Sequence, residues 1–214
     1  MGGFLDAPIK DKQVEYGSND QLSWGACEMQ GWRSSMEDTH ICEQVDMGKD
    51  NFGMLFGVFD GHGGDDVSKF AKANFRSEFI NQKNLFNNDI KKALINTFLQ
   101  LDKRLKNQHY AKAIGSTGCV VFITKDTIYC ANLGDSRAVL CQTVKRAVPL
   151  SEDHKPDLIE EKKRIDNAGH YVAEERVDGQ LALSRAIGDH NFKDQPILKP
   201  EEQAVSPMPD VTIR

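Results

Sequence analysis

Long apolar runs and dense basic clusters are both absent from this sequence. No stretch approaches the roughly 18 consecutive apolar residues of a membrane span, and the N-terminus lacks the apolar region of a signal peptide. The chain has 27 basic and 32 acidic side chains, a net charge of −5, and no Lys/Arg block interleaved with aromatic residues. A basic surface for nucleic acid is therefore missing. The sequence predicts a protein with no transmembrane segment and no nucleic-acid partner.

Paired cysteines are also lacking. The five cysteines are odd in number and widely spaced, with no CxxC pair: Cys27, Cys42, Cys119, Cys130 and Cys141. Each lies in an apolar or alternating segment, which indicates buried, reduced thiols rather than a disulfide framework. This pattern predicts a cytoplasmic protein, with the nucleus as a second compartment.

The first 20 residues are polar and mixed in charge, which predicts a flexible arm (1–20) ahead of one monomeric domain (21–214). Removal of Met1 would expose Gly2, the acceptor of N-myristoylation, but Asp6 stands where that motif has Ser or Thr. Two alternatives stay open at this point. One is a frayed terminus, and the other is an acylated Gly2 that gives weak membrane contact.

Hydrophobic patterns divide the rest of the chain into groups of strands separated by a pair of helices. Alternating or continuous apolar runs predict strands over 22–32, 39–45 and 51–60, a hairpin over 117–134 that turns at Lys125–Asp126, and a strand over 137–142. Helical spacing predicts helices over 63–80, 90–105 and 155–169. Consecutive strands favour an α+β domain, in which an antiparallel β-sandwich is flanked by helices.

Acidic residues gather where two of these predicted strands meet loops. Asp60 ends the apolar strand 51–60, and Glu37 and Asp38 precede the strand 39–45. Together with the bare carbonyl of Gly61 they are hard oxygen donors, which suit Mg²⁺ or Mn²⁺ better than Zn²⁺. Two such ions can activate a water for in-line attack on phosphorus.

Two nearby side chains fit the same chemistry. Arg33 would offer a planar fork to phosphate oxygens, and His62 lies close enough to Asp60 in sequence to protonate a leaving alkoxide. A rival interpretation is a serine hydrolase with Ser136 as nucleophile and Asp153 and His154 as its partners. The strand pattern that follows Ser136 disfavours it, because such nucleophiles sit on a strand-to-helix turn.

Seven blocks in order resemble the PPM family, the type 2C metal-dependent Ser/Thr protein phosphatases: GWRSSMEDTH, GVFDGHGG, GSTGCVVFI, ANLGDSRAVL, EDHKP, EEKKRIDNAGHYV and RVDGQLALSRAIGD. The resemblance covers nearly the whole chain from Gln21 on. It implies a four-layer αββα domain that hydrolyses phosphoserine and phosphothreonine in proteins, with a water activated by two Mg²⁺ or Mn²⁺ ions.

The resemblance also implies roles for single residues. By it, Asp60 bridges the two ions and Arg33 binds the substrate phosphate, while His62 acts as the general acid. The implied metal-site residues are Asp60, Glu37 and the Gly61 carbonyl for the second ion, Asp38 through water, and Asp135 at a weaker third site.

Two features depart from the family pattern. His170 stands where the family usually has a second glycine, which predicts strain in the flap segment GHYVAEERVDG. The later aspartates that complete the first metal site in the family have no counterpart before Arg214. We therefore expect a C-terminally incomplete catalytic domain that lacks its last strands and is inactive alone. The alternative is an impaired pseudophosphatase or a phosphoprotein-binding module.

Overall fold

Antiparallel strands and three α-helices make up the computed structural model, which describes residues 3–48 and 51–214. The predicted acylation site, Gly2, lies outside the described residues. The helices are α1 (Asp66–Leu85), α2 (Ile90–Leu105) and α3 (Ile159–Asn167). The strands are β1 (Phe4–Ser18), β2 (Ser23–Arg33), β3 (Thr39–Gly48), β4 (Asn51–Phe59), β5 (Gly61–His62), β6 (Gly115–Ser116), β7 (Gly118–Ile123), β8 (Ile128–Leu133), β9 (Val139–Thr143), β10 (Arg146–Pro149), β11 (Val172–Ala173), β12 (Arg176–Val177), β13 (Ile187–Gly188) and β14 (Asp210–Ile213).

The main sheet has five antiparallel strands in the order β14-β8-β7-β4-β3. Helices α1 and α2 cover one of its faces, because their apolar stripes pack against the buried side chains of β4 and β7. Three rings mark this contact: Phe75 lies 5.6 Å from Phe59 and 5.1 Å from Phe98, centroid to centroid. The predicted α+β class, with antiparallel sheets flanked by helices, is confirmed.

A two-stranded hairpin of β1 and β2 faces the other side of the main sheet. The ring of Trp24 on β2 lies 6.1 Å from that of Phe56 on β4, beside a cavity of about 670 Å³ between hairpin and sheet. The prediction of a flexible arm over 1–20 is wrong for Phe4–Ser18, which form a strand. Most of their side chains are exposed, and the strand is held by backbone hydrogen bonds to β2, which do not require apolar side chains. The composition of this strand is therefore polar.

Most other predicted elements agree with the structure. Helices α1 and α2 and the β7–β8 hairpin, which turns over 124–127, occur where their patterns indicate. Helix α3 begins at Ile159, later than the predicted start at 155, because Lys155–Leu158 form a turn with Leu158 extended. Within the described ranges, no helix is long and apolar enough to cross a membrane.

A buried ion network centred on Glu161 joins α3 to the segments that lead into β14. The Glu161 carboxylate accepts hydrogen bonds from Arg164 at 2.7 Å, Arg185 at 2.6 Å and Ser184 at 2.6 Å. Arg185 also donates to Asp210 of β14 at 2.8 Å. Burial alone would raise the pKa of Glu161, but the hydrogen bond from Arg185 and the charge of Arg164 lower it to about 2. The carboxylate therefore stays ionised between two guanidinium groups.

Replacing Glu161 by Gln should lower the free energy of unfolding by about 3–5 kcal/mol at neutral pH, because two buried guanidinium groups lose their counter-charge. The carboxylate contributes fully above its ordinary pKa of 4.5, and this contribution is lost as the pH falls towards about 2. Urea unfolding of wild type and Glu161→Gln at several pH values measures the difference. Glu160→Gln, at an exposed neighbouring position, is the control. A difference that persists unchanged at pH 2 would contradict this assignment.

Candidate active site

The register of β3 and β4 brings two predicted metal ligands together. Thr39 pairs with Phe59 at one end of the ladder. Asp38 precedes Thr39 and Asp60 follows Phe59, so the two acids lie at the same end of the two strands. Their carboxyl groups lie close enough to share a hydrogen bond. Both residues remain accessible to solvent, so the pair lies at the surface and not in the core. We call the surface formed by these two residues and their neighbours the active-site cleft.

Both of these carboxyl groups have raised pKa values. Partial burial and the charge of Asp60 raise the pKa of Asp38 to about 6. Burial and the charge of Asp135 raise the pKa of Asp60, and the guanidinium of Arg33 opposes the shift at both groups. Neighbouring carboxylates repel one another unless a proton or a cation lies between them. Their oxygens are the hard donors that suit a divalent ion such as Mg²⁺ or Mn²⁺.

The backbone of Asp60 is held on both sides by the GSTG block. The Asp60 amide donates to the Thr117 hydroxyl at 3.0 Å, and its carbonyl accepts from the Thr117 amide at 2.9 Å and the Ser116 hydroxyl at 3.2 Å. These bonds fix the main chain and leave only the carboxylate free to bind a ligand. Sequence reasoning missed this role, because nothing in the two separate motifs indicates that they meet.

Glu37 lies beside Gly61 and His62. A side chain at Gly61 would collide with the Glu37 carbonyl and the Ser68 hydroxyl, which explains the glycine at this position. The Ser35 hydroxyl donates to the Glu37 carboxylate at 2.8 Å, and the charge of Glu37 acts on His62. Glu37 thus belongs to the same cleft as Asp60.

The three acids nevertheless form an open arrangement. In the described part of the chain, three ligand atoms of His, Cys, Asp or Glu lie within 4.8 Å of one another only at a different place, on β1 and β3. The carboxylates of Glu37, Asp38 and Asp60 therefore surround the cleft without closing on one point. The structure brings these predicted site residues to one cleft, and their individual roles stay predictions.

A small three-stranded sheet, in the order β13-β6-β5, positions His62. Its Nε2 lies 2.7 Å from the Asp189 carboxylate, which is only 2% exposed. Gly115 pairs with His62 and Gly188, and any side chain on it would collide with Asp189 and the imidazole. Burial acts to lower the pKa of His62, but the charge and hydrogen bond of Asp189 raise it above its ordinary value. Sequence reasoning missed this partner, which lies 127 positions away.

Asp135, the residue of the predicted third metal site, lies near Asp60 and forms an ion pair with Lys155. The EDHKP block supplies this lysine, and sequence reasoning did not assign it a role. Next to Asp135, the Ser136 and Thr117 hydroxyls share a hydrogen bond of 2.7 Å. The GDSR loop therefore packs directly on the residues that hold Asp60.

The rival serine-hydrolase interpretation is wrong, because its three residues have other partners. The Nδ1 atom of His154 accepts from the Gly134 amide at 3.0 Å, and its Nε2 lies 3.3 Å from Asp210. Asp153 pairs with Arg137 at 2.9 Å. The Ser136 hydroxyl bonds to Thr117, so no base–nucleophile pair forms.

The strain predicted at His170 is also misplaced. Among the described non-glycine residues, those with positive φ in this flap segment are Glu174, Glu175 and Asp178, at 51°, 58° and 50°. Glu174 and Glu175 form the two-residue turn between β11 and β12, where such a hairpin needs positive φ at both positions. Gly169 takes the left-handed conformation before His170, which instead bonds to Asp178 at 2.7 Å.

Comparisons with known proteins agree with this geometry. A family model described as protein phosphatase 2C matches residues 22–214. "Probable protein phosphatase 2C 6" of Paramecium tetraurelia is 41% identical and covers 100% of this chain and 75% of its own length. "Protein phosphatase 2C homolog 2" of Hypocrea jecorina is 44% identical, over 100% of this chain and 50% of its own.

A crystal structure of a phosphatase from Toxoplasma gondii has a similar fold. It has a TM-score of 0.71 at 23% identity and covers 98% of this chain and 73% of its own. The family matched by the sequence depends on Mg²⁺ or Mn²⁺ and dephosphorylates serine and threonine in proteins. The chain thus belongs to the protein phosphatase 2C family of Ser/Thr protein phosphatases.

Proposed function

We propose that this protein hydrolyses phosphoserine and phosphothreonine in phosphoproteins, using a water activated by two Mg²⁺ or Mn²⁺ ions. The observation that carries the proposal is the paired Asp38 and Asp60 carboxyl groups, close enough to share a hydrogen bond in a solvent-accessible cleft. Arg33 acts electrostatically on both carboxyl groups, and His62 acts on that of Asp60. Acids, a guanidinium and an imidazole in one cleft suit phosphoester hydrolysis.

The donors around the cleft suit hard divalent ions. Asp60 would be shared between the ions, Glu37 and the Gly61 carbonyl would hold one of them, and Asp38 would act through water. Asp135 would serve a weaker third site if Lys155 released it. Bound ions supply Lewis-acid chemistry, which makes water nucleophilic near neutral pH and offsets the phosphate charge.

The remaining steps fall to side chains of this chain. Arg33 would bind two phosphate oxygens through its planar fork and so orient the phosphorus. His62 would donate a proton to the leaving serine or threonine oxygen. Because Asp189 holds Nε2, the proton transferred would come from Nδ1. Asp189 would stabilise the protonated ring before the transfer, as carboxylates do for imidazolium groups.

Other expectations accompany this proposal. We expect phosphoprotein partners, a monomer, and a cytoplasmic location that extends to the nucleus, with acylation of Gly2 as a weak membrane contact. The alternative is a phosphoprotein-binding module without turnover. An assay of phosphothreonine-peptide hydrolysis with and without Mn²⁺ separates the two, since only an enzyme releases phosphate.

In a form of the protein that turns over phosphopeptide, replacing Asp60 by Asn should lower the Mn²⁺-dependent kcat by more than about 100-fold, because even residues that only orient metal ligands contribute about 10–100-fold. The fold should persist, since the side chain is accessible and the backbone bonds to Thr117 do not involve the carboxylate. Phosphate release and circular dichroism measure both effects. Asp126→Asn, in the exposed β7–β8 turn, is the matched control. Wild-type turnover in Asp60→Asn would refute the shared-ligand role.

The acid role of His62 predicts a dependence on the leaving group. His62→Gln should lower kcat by about 10²–10⁴-fold on a phosphoserine peptide, whose alkoxide needs a proton. The loss should be small on p-nitrophenyl phosphate, whose leaving group is stable without one. Asp189→Asn should show the same pattern more weakly, and His109→Gln, at an exposed position, should show neither change. Equal losses on both substrates would contradict the acid role.

A further inference from the structure

Four metal-binding side chains that the proposed active site does not use converge between the β1–β2 hairpin and β3, beside a cavity that Asp38 also lines. On β3, Ile41 belongs to the core against the helices, so His40 and Cys42 project from the opposite face. On the hairpin, the register pairs Gln13 with Glu28 and Glu15 with Ala26, which places Glu15 and Glu28 on one shared face. The two faces meet.

The distances at this cluster are short. His40 Nε2 lies 3.1 Å from a Glu15 oxygen, and His40 Nδ1 lies 3.0 Å from a Glu28 oxygen. Ligand atoms of Glu15, His40 and Cys42 all lie within 4.8 Å of one another. Neighbouring ligand atoms of a tetrahedral ion with bonds of ~2.0–2.3 Å are about 3.3–3.7 Å apart. The His40–Glu15 pair already approaches this spacing, and a side-chain rotation of Cys42 would bring in its sulfur.

We propose that Glu15, His40 and Cys42 bind a Zn²⁺ ion, and that Glu28 orients His40 through the ring nitrogen that does not bind the ion. Imidazole, thiolate and carboxylate are the ligands that Zn²⁺ takes, whereas the ligands proposed for the active-site ions are all oxygens. A ligating histidine usually donates its other ring N–H to a carboxylate. The Glu28 carboxylate lies next to His40 Nδ1 and can accept this hydrogen bond. The three protein ligands leave a fourth position for water.

The ion would connect two sheets that share no backbone ladder. In the described residues, β1 pairs only with β2, and β3 is the edge strand of the main sheet. The side chains of Glu28, His40 and Cys42 also line the cavity between hairpin and sheet. On binding, Zn²⁺ would displace the proton shared by His40 Nε2 and Glu15 and the proton of the Cys42 thiol, and both protons would be released to solvent. The site would therefore fasten β1 to β3.

Titration calorimetry with ZnCl₂ tests this site in the Asp60→Asn protein, in which metal binding at the active-site cleft is weakened. We expect one equivalent of Zn²⁺ to bind and to raise the melting temperature. Cys42→Ser and Glu15→Gln should each weaken binding at least tenfold, and Glu28→Gln by about 10–100-fold. Cys27→Ser is the matched control, because Cys27, contrary to its predicted burial, is an exposed thiol on β2 next to Glu28 but on the other face.

Co²⁺ gives an independent readout, because a cobalt–thiolate bond produces a charge-transfer absorption band in the near ultraviolet. The band should appear in the Asp60→Asn protein and in its Cys27→Ser variant, and it should be lost in Cys42→Ser. Glu15 is exposed, so Glu15→Gln tests the site without threatening the fold. Absence of Zn²⁺ binding, or wild-type affinity in both Cys42→Ser and Glu15→Gln, would overturn the proposal.

Discussion

The antiparallel pairing of β3 with β4 is the constraint on which the active-site cleft depends. The terminal pair of this ladder is Thr39 with Phe59. It places Asp38 and Asp60, the next residue on each strand, side by side. The Thr39–Phe59 pair is held in place because Phe59 is fully buried and its ring packs on Phe75 of α1. A one-residue slip would turn Phe59 out of the core and would separate the carboxylates. Core packing thus enforces the geometry of the cleft.

This arrangement is electrostatically unfavourable without a cation. Two carboxyl groups at the ends of paired strands repel one another, as the raised pKa values of Asp38 and Asp60 indicate. Hydrogen bonds from the Ser116 hydroxyl and the Thr117 amide to the Asp60 carbonyl prevent Asp60 from moving away. Such local conflicts are expected at functional sites, where binding requires groups that folding alone would keep apart. The Glu161 network shows the opposite case, because its buried charge is matched by two guanidinium groups.

Local patterns in the sequence were enough to predict most elements and the main acids of the cleft. Apolar periodicity identifies β4, α1 and α2 because their burial is periodic, and Asp60 stands out because it ends an apolar strand. The partners of those acids could not be predicted, since contacts such as His62 with Asp189 depend on tertiary pairing alone. Strand β1 was missed for a related reason: its stability comes from backbone bonds to β2, which leave little hydrophobic pattern.

Paramagnetic broadening by Mn²⁺ in amide NMR spectra tests most directly whether these acids form one metal-binding cleft. We expect substoichiometric Mn²⁺ to remove selectively the signals of Gly61, His62 and Ser116, which surround Asp60. Signals of the β9–β10 hairpin should persist, and Asp60→Asn should abolish the selective loss. Broadening centred elsewhere, or unchanged by Asp60→Asn, would contradict the claim that the end of the β3–β4 pair is the metal centre.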